Sequence, residues 1–304
     1  MKLLKNILAG LCLLLAMGHS AADELTVVTS FSILENLVKV VGADKVSVTP
    51  LITGSTNPHS FQFSSSHARK LKKADLLVVN GLQFESWLLM LDRSGVFSGT
   101  TLVSSRGVNT LHWSHKNHTD HGEDHVDAPA SINPHAWLSL RNLKVYVNNI
   151  RDELTRLQPH NADLFHRNAN AYTEELDALD RSMRDKLQQI PPSSRQVVVS
   201  HDAFAYLARD YDIAFYPVYA GSSEFGGSAS RLARTMELIR DNEIQLLYSE
   251  ELVDPRPLRQ LESETDARIA GHLFVETYGQ TGSVLGMMRH NLDTLLSGLS
   301  SLTP

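Results

Sequence analysis

Thiols are almost absent from this chain: the single cysteine, Cys12, lies in an apolar run near the start. Disulfides, thiolate metal ligands and a catalytic cysteine are therefore excluded from everything downstream of it. Long apolar stretches are missing as well. The run at 7–17 falls short of the roughly 20 residues a membrane-spanning helix needs, and no later segment is apolar for long enough. Positive charge is sparse, with 28 Lys and Arg against 34 Asp and Glu and a formal net charge of −6. An acidic chain without a basic cluster is a poor nucleic-acid binder, although it attracts cations.

The first 22 residues read as a cleavable secretory signal. Lys2 and Lys5 precede the apolar run, which leads to the small residues Ser20, Ala21 and Ala22. Leu11, just before Cys12, is bulkier than the residue a lipoprotein signal places there, so cleavage without a lipid anchor is expected. Removing the two lysines with the leader shifts the formal charge from −6 to −8. The expected compartment is the periplasm.

What remains alternates short β-rich runs with helix-like stretches. Strands are expected at 25–29, 46–52, 76–79 and 101–103, and again at 197–199, 213–218, 246–248 and 268–274. Such alternation implies parallel sheets covered on both faces. The fold class is thus α/β, with two lobes of about four mostly parallel strands each. Between them, residues 138–189 are rich in Leu, Glu, Asp, Arg and Ala and are interrupted by Pro159. Apolar residues at helical intervals make 161–189 one long helix, which Pro191 and Pro192 end. The expected division is a signal peptide at 1–22, an N-terminal lobe at 23–158, a rigid linking helix at 159–190 and a C-terminal lobe at 191–304.

Histidine is unevenly spread. Five of fourteen, His112, His115, His118, His121 and His125, share one short span with Asp120, Glu123 and Asp124. After Trp113 the span has no apolar periodicity, so it reads as a mobile loop within the N-terminal lobe that collects metal weakly.

Four other residues stand at strand ends or beside prolines. His59 lies in Asn57-Pro58-His59 after the run ending at Ile52, and His135 lies in Asn133-Pro134-His135 before a helix. The prolines restrain the backbone beside each imidazole. His201 follows Val197-Val198-Val199-Ser200, and Glu276 follows Leu273-Phe274-Val275. Asp202, next in sequence to His201, is a candidate to cap the following helix or to orient an imidazole of the site. Carboxyl ends of strands are where open α/β sheets bind ligands. Three imidazoles and a carboxylate, with no sulfur competitor, suit a closed tetrahedral divalent-metal site, zinc above all.

These segments resemble the metal-binding motifs of the periplasmic solute-binding proteins of zinc and manganese ABC importers. The resemblance runs through residues 57–61, 133–138, 200–207 and 273–276, and extends to 74–81 and 287–292. It implies two (β/α) lobes joined by a rigid helix, with metal held in the cleft between them. It also implies that His59, His135 and His201 are ligands, with Glu276 at the place of a final acidic ligand. Asn57 and Asn133 stand where the family often has aspartate, and Glu276 stands where aspartate is commoner. Glu224, Glu250 or water are the alternatives for that fourth position.

Ligand type then points to the metal. Family members that carry manganese look as though a carboxylate replaces the third histidine, and this chain keeps His201. Three imidazoles favour zinc over manganese and iron, although copper and nickel rank close or higher by affinity alone. A hydrolytic zinc enzyme would need an open position for water, and neither a His-Glu-x-x-His pair nor a Gly-x-Ser-x-Gly elbow is present. The expectation is a monomeric, non-enzymatic receptor that binds Zn(II) and passes it to the membrane permease of an ABC importer. A periplasmic metallochaperone is a further candidate partner. A manganese or iron receptor, and a zinc chaperone or buffer, are the alternatives.

Overall fold

The computed structural model describes residues 24–54, 56–113, 131–219 and 229–302. Two four-stranded parallel sheets organise it. The first contains β1 (Leu25–Phe31), β2 (Val46–Ile52), β3 (Leu76–Val79) and β4 (Thr100–Val103), in the order β2-β1-β3-β4. The second contains β5 (Gln196–His201), β6 (Ala214–Tyr219), β7 (Leu246–Glu250) and β8 (Arg268–Leu273), in the order β6-β5-β7-β8. The same order in both makes the lobes topological repeats. Registers such as Val27↔Leu76 and Val198↔Leu247 align the central strands, and one bulge lies between Leu247 and Tyr248.

Parallel strands buried on both faces need unbroken apolar runs, and Leu76-Leu77-Val78-Val79 is fully buried along its length. Helices cover the sheets. Helix α1 (Ser32–Gly42) buries Ile33, Leu34, Leu37, Val38 and Val41 at helical spacing. Truncating one of these, such as Leu37→Ala, should cost about 2–5 kcal/mol. The remaining N-lobe helices are α2 (Ser65–Leu71), α3 (Leu88–Ser94) and α4 (Leu140–Leu157). Ser139 caps α4, its hydroxyl accepting from the Asn142 amide at 3.1 Å.

Helix α5 (Ala162–Leu187) fills the place expected of the linking helix and packs on both α1 and α4. The second lobe adds α6 (Ala205–Tyr211), α7 (Ala229–Asp241), α8 (Arg256–Glu264) and α9 (Val284–Ser300). Because α9 also packs against α5 and α1, one apolar core runs through both lobes. A smaller cluster around Val198, Leu247 and Leu261 fills the outer side of the second sheet.

Asp202 does not cap the helix after His201. Two residues separate it from α6, whose cap position is Phe204, with no side-chain cap bond. Of the His-rich segment, His112 pairs with Ile132 in an isolated antiparallel bridge. His115, His118, His121 and His125 lie outside the described residues, as do the proposed leader and Glu224.

Candidate metal site

Every element that carries a candidate donor ends at the cleft between the two sheets. After β2 the chain forms a single 3₁₀ turn at Pro58–Ser60, with Asn57 Oδ1 accepting from the His59 amide at 2.8 Å. Asn133 repeats the device ahead of His135, accepting from its amide at 3.1 Å. His201 is the last residue of β5, and Glu276 follows β8. One donor atom from each of His59, His135, His201 and Glu276 lies within 4.8 Å of the others. From Glu276 Oε1 the distances to the three Nε2 atoms are 3.2, 3.3 and 3.8 Å, and His59 and His135 Nε2 are 3.2 Å apart.

The cluster is buried and imperfectly paired. Side-chain exposure is 9 % for His59 but 0, 1 and 2 % for His135, His201 and Glu276. His201 Nε2 and Glu276 Oε2 are buried and find no hydrogen-bond partner among the described residues. Leaving such groups unmet costs about 1–3 kcal/mol each, more for charged ones. Burial lowers the His135 pKa to about 4, against the pull of Glu276, so this imidazole is neutral at pH 7. Burial works against charge on His201 too, but the Glu250 and Glu276 carboxylates outweigh it and hold its pKa well above the ordinary value. For Glu276, burial is overcome by the three imidazoles, and its pKa falls well below the usual range.

The outer ring nitrogens distinguish the three histidines. His135 Nδ1 pairs with Asn133 Oδ1 at 2.9 Å. His201 Nδ1 pairs with Glu250, whose other oxygen accepts from the Ser200 amide at 2.6 Å and the His201 amide at 3.2 Å. Among the described residues nothing pairs with the outer nitrogen of His59. Glu250 therefore stands behind His201 and not at the fourth corner, and it takes the orienting role offered to Asp202.

Further carboxylates fix the strand-end loops. Glu251 accepts from the consecutive amides of Val275, Glu276 and Thr277 at 2.7–3.0 Å. Its counterpart in the first lobe, Glu85, accepts from Ser30 Oγ and from the amides of Asn80 and Gly81 at 2.7, 2.7 and 3.0 Å. Burial raises both acids to a pKa of about 7. Gly81 makes its turn at φ +82°, and a Cβ there would come within 2.5 Å of Val103. Sequence reasoning missed Glu85, Glu251 and Trp137 and offered Glu250 only as an alternative fourth ligand; the one available signal was an acidic residue at the end of a buried β-run, as at Glu250.

A buried cluster of three imidazoles and one carboxylate, drawn from two repeated α/β lobes, could hold a divalent cation. Residues 27–298 match the family model of the periplasmic zinc-uptake complex component A. The chain belongs to this family, whose members are substrate-binding proteins of metal ABC transporters and not enzymes. It is 29 % identical to the iron-binding protein YfeA of Yersinia pestis, over 91 % of this chain and 87 % of that protein. To the manganese-binding lipoprotein MntA of Halalkalibacterium halodurans it is 28 % identical, over 94 % and 95 %. The Mn-bound periplasmic metal-binding protein of Candidatus Liberibacter asiaticus superposes with a TM-score of 0.79 at 26 % identity, over 91 % of this chain and all of that one. The periplasmic zinc-binding protein TroA of Treponema pallidum shares the fold, with a TM-score of 0.80 at 23 % identity over 91 % and 99 %. Among the described residues no helix is long and apolar enough to cross a membrane.

Proposed function

We propose that this protein captures Zn(II) with His59, His135, His201 and Glu276 and delivers it to the membrane permease of an ABC importer. The observation that carries the reading is the pair of orphaned buried atoms, His201 Nε2 and Glu276 Oε2, in a cluster whose other donors face the same point. A tetrahedral zinc ion with bonds of about 2.0–2.1 Å spaces its donors roughly 3.3 Å apart. Three of the four measured separations, 3.2, 3.2 and 3.3 Å, match that edge.

Each residue has a part in capture. His135 is neutral and offers a lone pair at once, while Glu250 and Asn133 keep the outer protons of their imidazoles turned away from the ion. His201, whose pKa Glu250 and Glu276 hold up, gives up its inner proton as the ion binds, and Glu276 supplies the negative charge that imidazoles lack. Docking of both lobes on the permease would separate the two halves of the donor set and release the ion. Residues 1–22 act as the secretory leader in this reading, 23–158 and 191–304 as the two lobes, and 159–190 as the spine between them. The mature protein works as a monomer, and the His-rich segment 112–125 collects further zinc weakly.

A second reading, a manganese or iron receptor, draws on relatives named for those metals and on Glu276 Oε2, a second oxygen that would raise the coordination number. Titration of metal-free protein with Zn(II) and Mn(II) against a common chelator tests the choice. Zinc should bind more tightly, with one tight site per chain. Equal or tighter manganese binding overturns the zinc assignment.

A further inference from the structure

The backbone that carries Glu276 has no strand beside it. In the order β6-β5-β7-β8 the strand leading to it is the outermost, and its pairing with β7 ends at Leu273. The peptide groups of 274–277 must therefore find other partners or stay unmet, at about 1–3 kcal/mol each. Side chains supply them. Glu251 accepts from the amides of 275, 276 and 277, and Trp137 Nε1 donates to the Val275 carbonyl at 2.7 Å. Phe274 is met at both its groups by one residue: its amide donates to Asn291 Oδ1 at 2.9 Å, and Asn291 Nδ2 donates to its carbonyl at 2.6 Å.

Asn291 lies on α9 and is fully buried. A side-chain amide offers an acceptor and a donor in one plane, so it can pair with the N–H and C=O of a single residue as a neighbouring strand would. One residue earlier on the helix, His290 Nε2 lies 2.9 Å from the His272 carbonyl. Helix α9 thus stands where a further strand would. Its first residue is tied to the other lobe, the Val284 amide donating to Asn36 Oδ1 of α1 at 2.9 Å, and the helix packs on α1 and α5. The chain entering Glu276 is so referenced to the lobe that supplies His59 and His135.

Resting on the assignment of Glu276 as a ligand, we infer that Asn291 is a positioning residue of the metal site: its double hydrogen bond to Phe274 sets where the Glu276 carboxylate meets the three imidazoles. Without it the Phe274 N–H and C=O lose their partners in a buried setting, and the backbone must turn to satisfy them. Glu276 is two residues away and turns with it. Its Oε1 stands 3.2, 3.3 and 3.8 Å from the three Nε2 atoms, an arrangement that a small backbone shift disperses.

The experiment is a double-substitution cycle on the mature protein with Asn291→Ala, Glu276→Ala and the two together, read by Zn(II) affinity in chelator competition and by metal-free melting. Alone, Asn291→Ala should weaken zinc binding about tenfold. In Glu276→Ala three imidazoles still hold zinc measurably, and there the same change should alter affinity by less than about twofold, because the side chain it acts through is gone. Lower metal-free melting is expected in both backgrounds. Equal affinity losses in the two backgrounds, or lower melting with zinc affinity unchanged, would overturn the positioning role and leave Asn291 a structural residue. Should Asn291→Ala not fold, Asn291→Asp runs the same cycle, since it keeps the shape and the acceptor and removes the donor. Failure of the wild type to bind zinc, or wild-type affinity in Glu276→Ala, would instead overturn the site proposed above. If manganese binds in place of zinc, the cycle titrated with Mn(II) decides by the same criteria.

Discussion

Replacing Glu250 by glutamine changes one atom and should reverse a proton. Oε1 of Glu250 accepts from the Ser200 and His201 amides, while Oε2 holds His201 Nδ1. In Glu250→Gln, the amide oxygen stays on the two backbone donors and the NH₂ group turns to Nδ1. Nδ1 must then accept, which leaves the imidazole proton on Nε2, the nitrogen that faces the other three donors. Flipping the amide does not help, because it sets NH₂ against two buried N–H groups and forfeits about 1–3 kcal/mol for each. Zinc must therefore force the tautomer back and break the new bond. Loss of a carboxylate partner behind a ligating histidine typically costs roughly 10- to 100-fold in metal affinity, or about 1.4–2.7 kcal/mol. Chelator competition reads this cost directly, and metal-free melting serves as the control, since glutamine conserves volume. A variant that binds zinc within about twofold of wild type would refute the role given to Glu250.

Zinc should raise the stability of the folded protein by about 4 kcal/mol at a free concentration near 1,000 times its dissociation constant; a calorimetric scan checks this, and an unshifted transition contradicts it. Exchanging a borderline nitrogen for a hard oxygen in His201→Glu should narrow or invert the preference for zinc over manganese in paired titrations. Below pH 6.5 the unfolded chain protonates His135 while the folded protein, with its pKa at about 4, does not. That residue's contribution is therefore lost as pH falls from about 6.5 to 4, by up to about 3 kcal/mol. Metal-free His135→Gln should accordingly lose less stability on acidification than wild type, as measured by urea unfolding. Excising residues 114–130 should remove weakly held zinc and keep the tight site, provided His112 and Trp113 remain, because His112 pairs with Ile132 and the Trp113 ring lies 5.7 Å from that of His135. Equilibrium titration of the excised protein checks both parts.

Much of the architecture was legible because it is written in local pattern. Runs such as Leu76-Leu77-Val78-Val79 have one stable use in an α/β chain, and of the apolar positions spaced at helical intervals between Pro159 and Pro191, Leu176, Leu179, Met183 and Leu187 are buried on α5 whereas Leu164 and Ala171 are not, the face there being set by Phe165, Ala169 and Tyr172. The four clustered candidates were legible for a related reason, since each follows a strand or a proline that makes its position unusual. Their supports were not. Glu250 and Glu251 are adjacent in sequence yet serve different loops, and that division exists only once β7 lies between β5 and β8. Trp137 is a core residue, and its indole donor finds a partner 138 residues away, which no local pattern announces. Asp202 showed the converse error, because adjacency to His201 suggested an orienting role that strand pairing gives to Glu250.

The central claim is a four-donor site with three imidazoles and one carboxylate, and X-ray absorption at the zinc edge of the stoichiometric complex measures it most directly. The account predicts four light-atom neighbours at about 2.0–2.1 Å, with multiple-scattering features of three imidazoles that fall to two in His59→Ala, His135→Ala or His201→Ala. Five or six neighbours at longer distance, or a spectrum unchanged by any one of these substitutions, would contradict it.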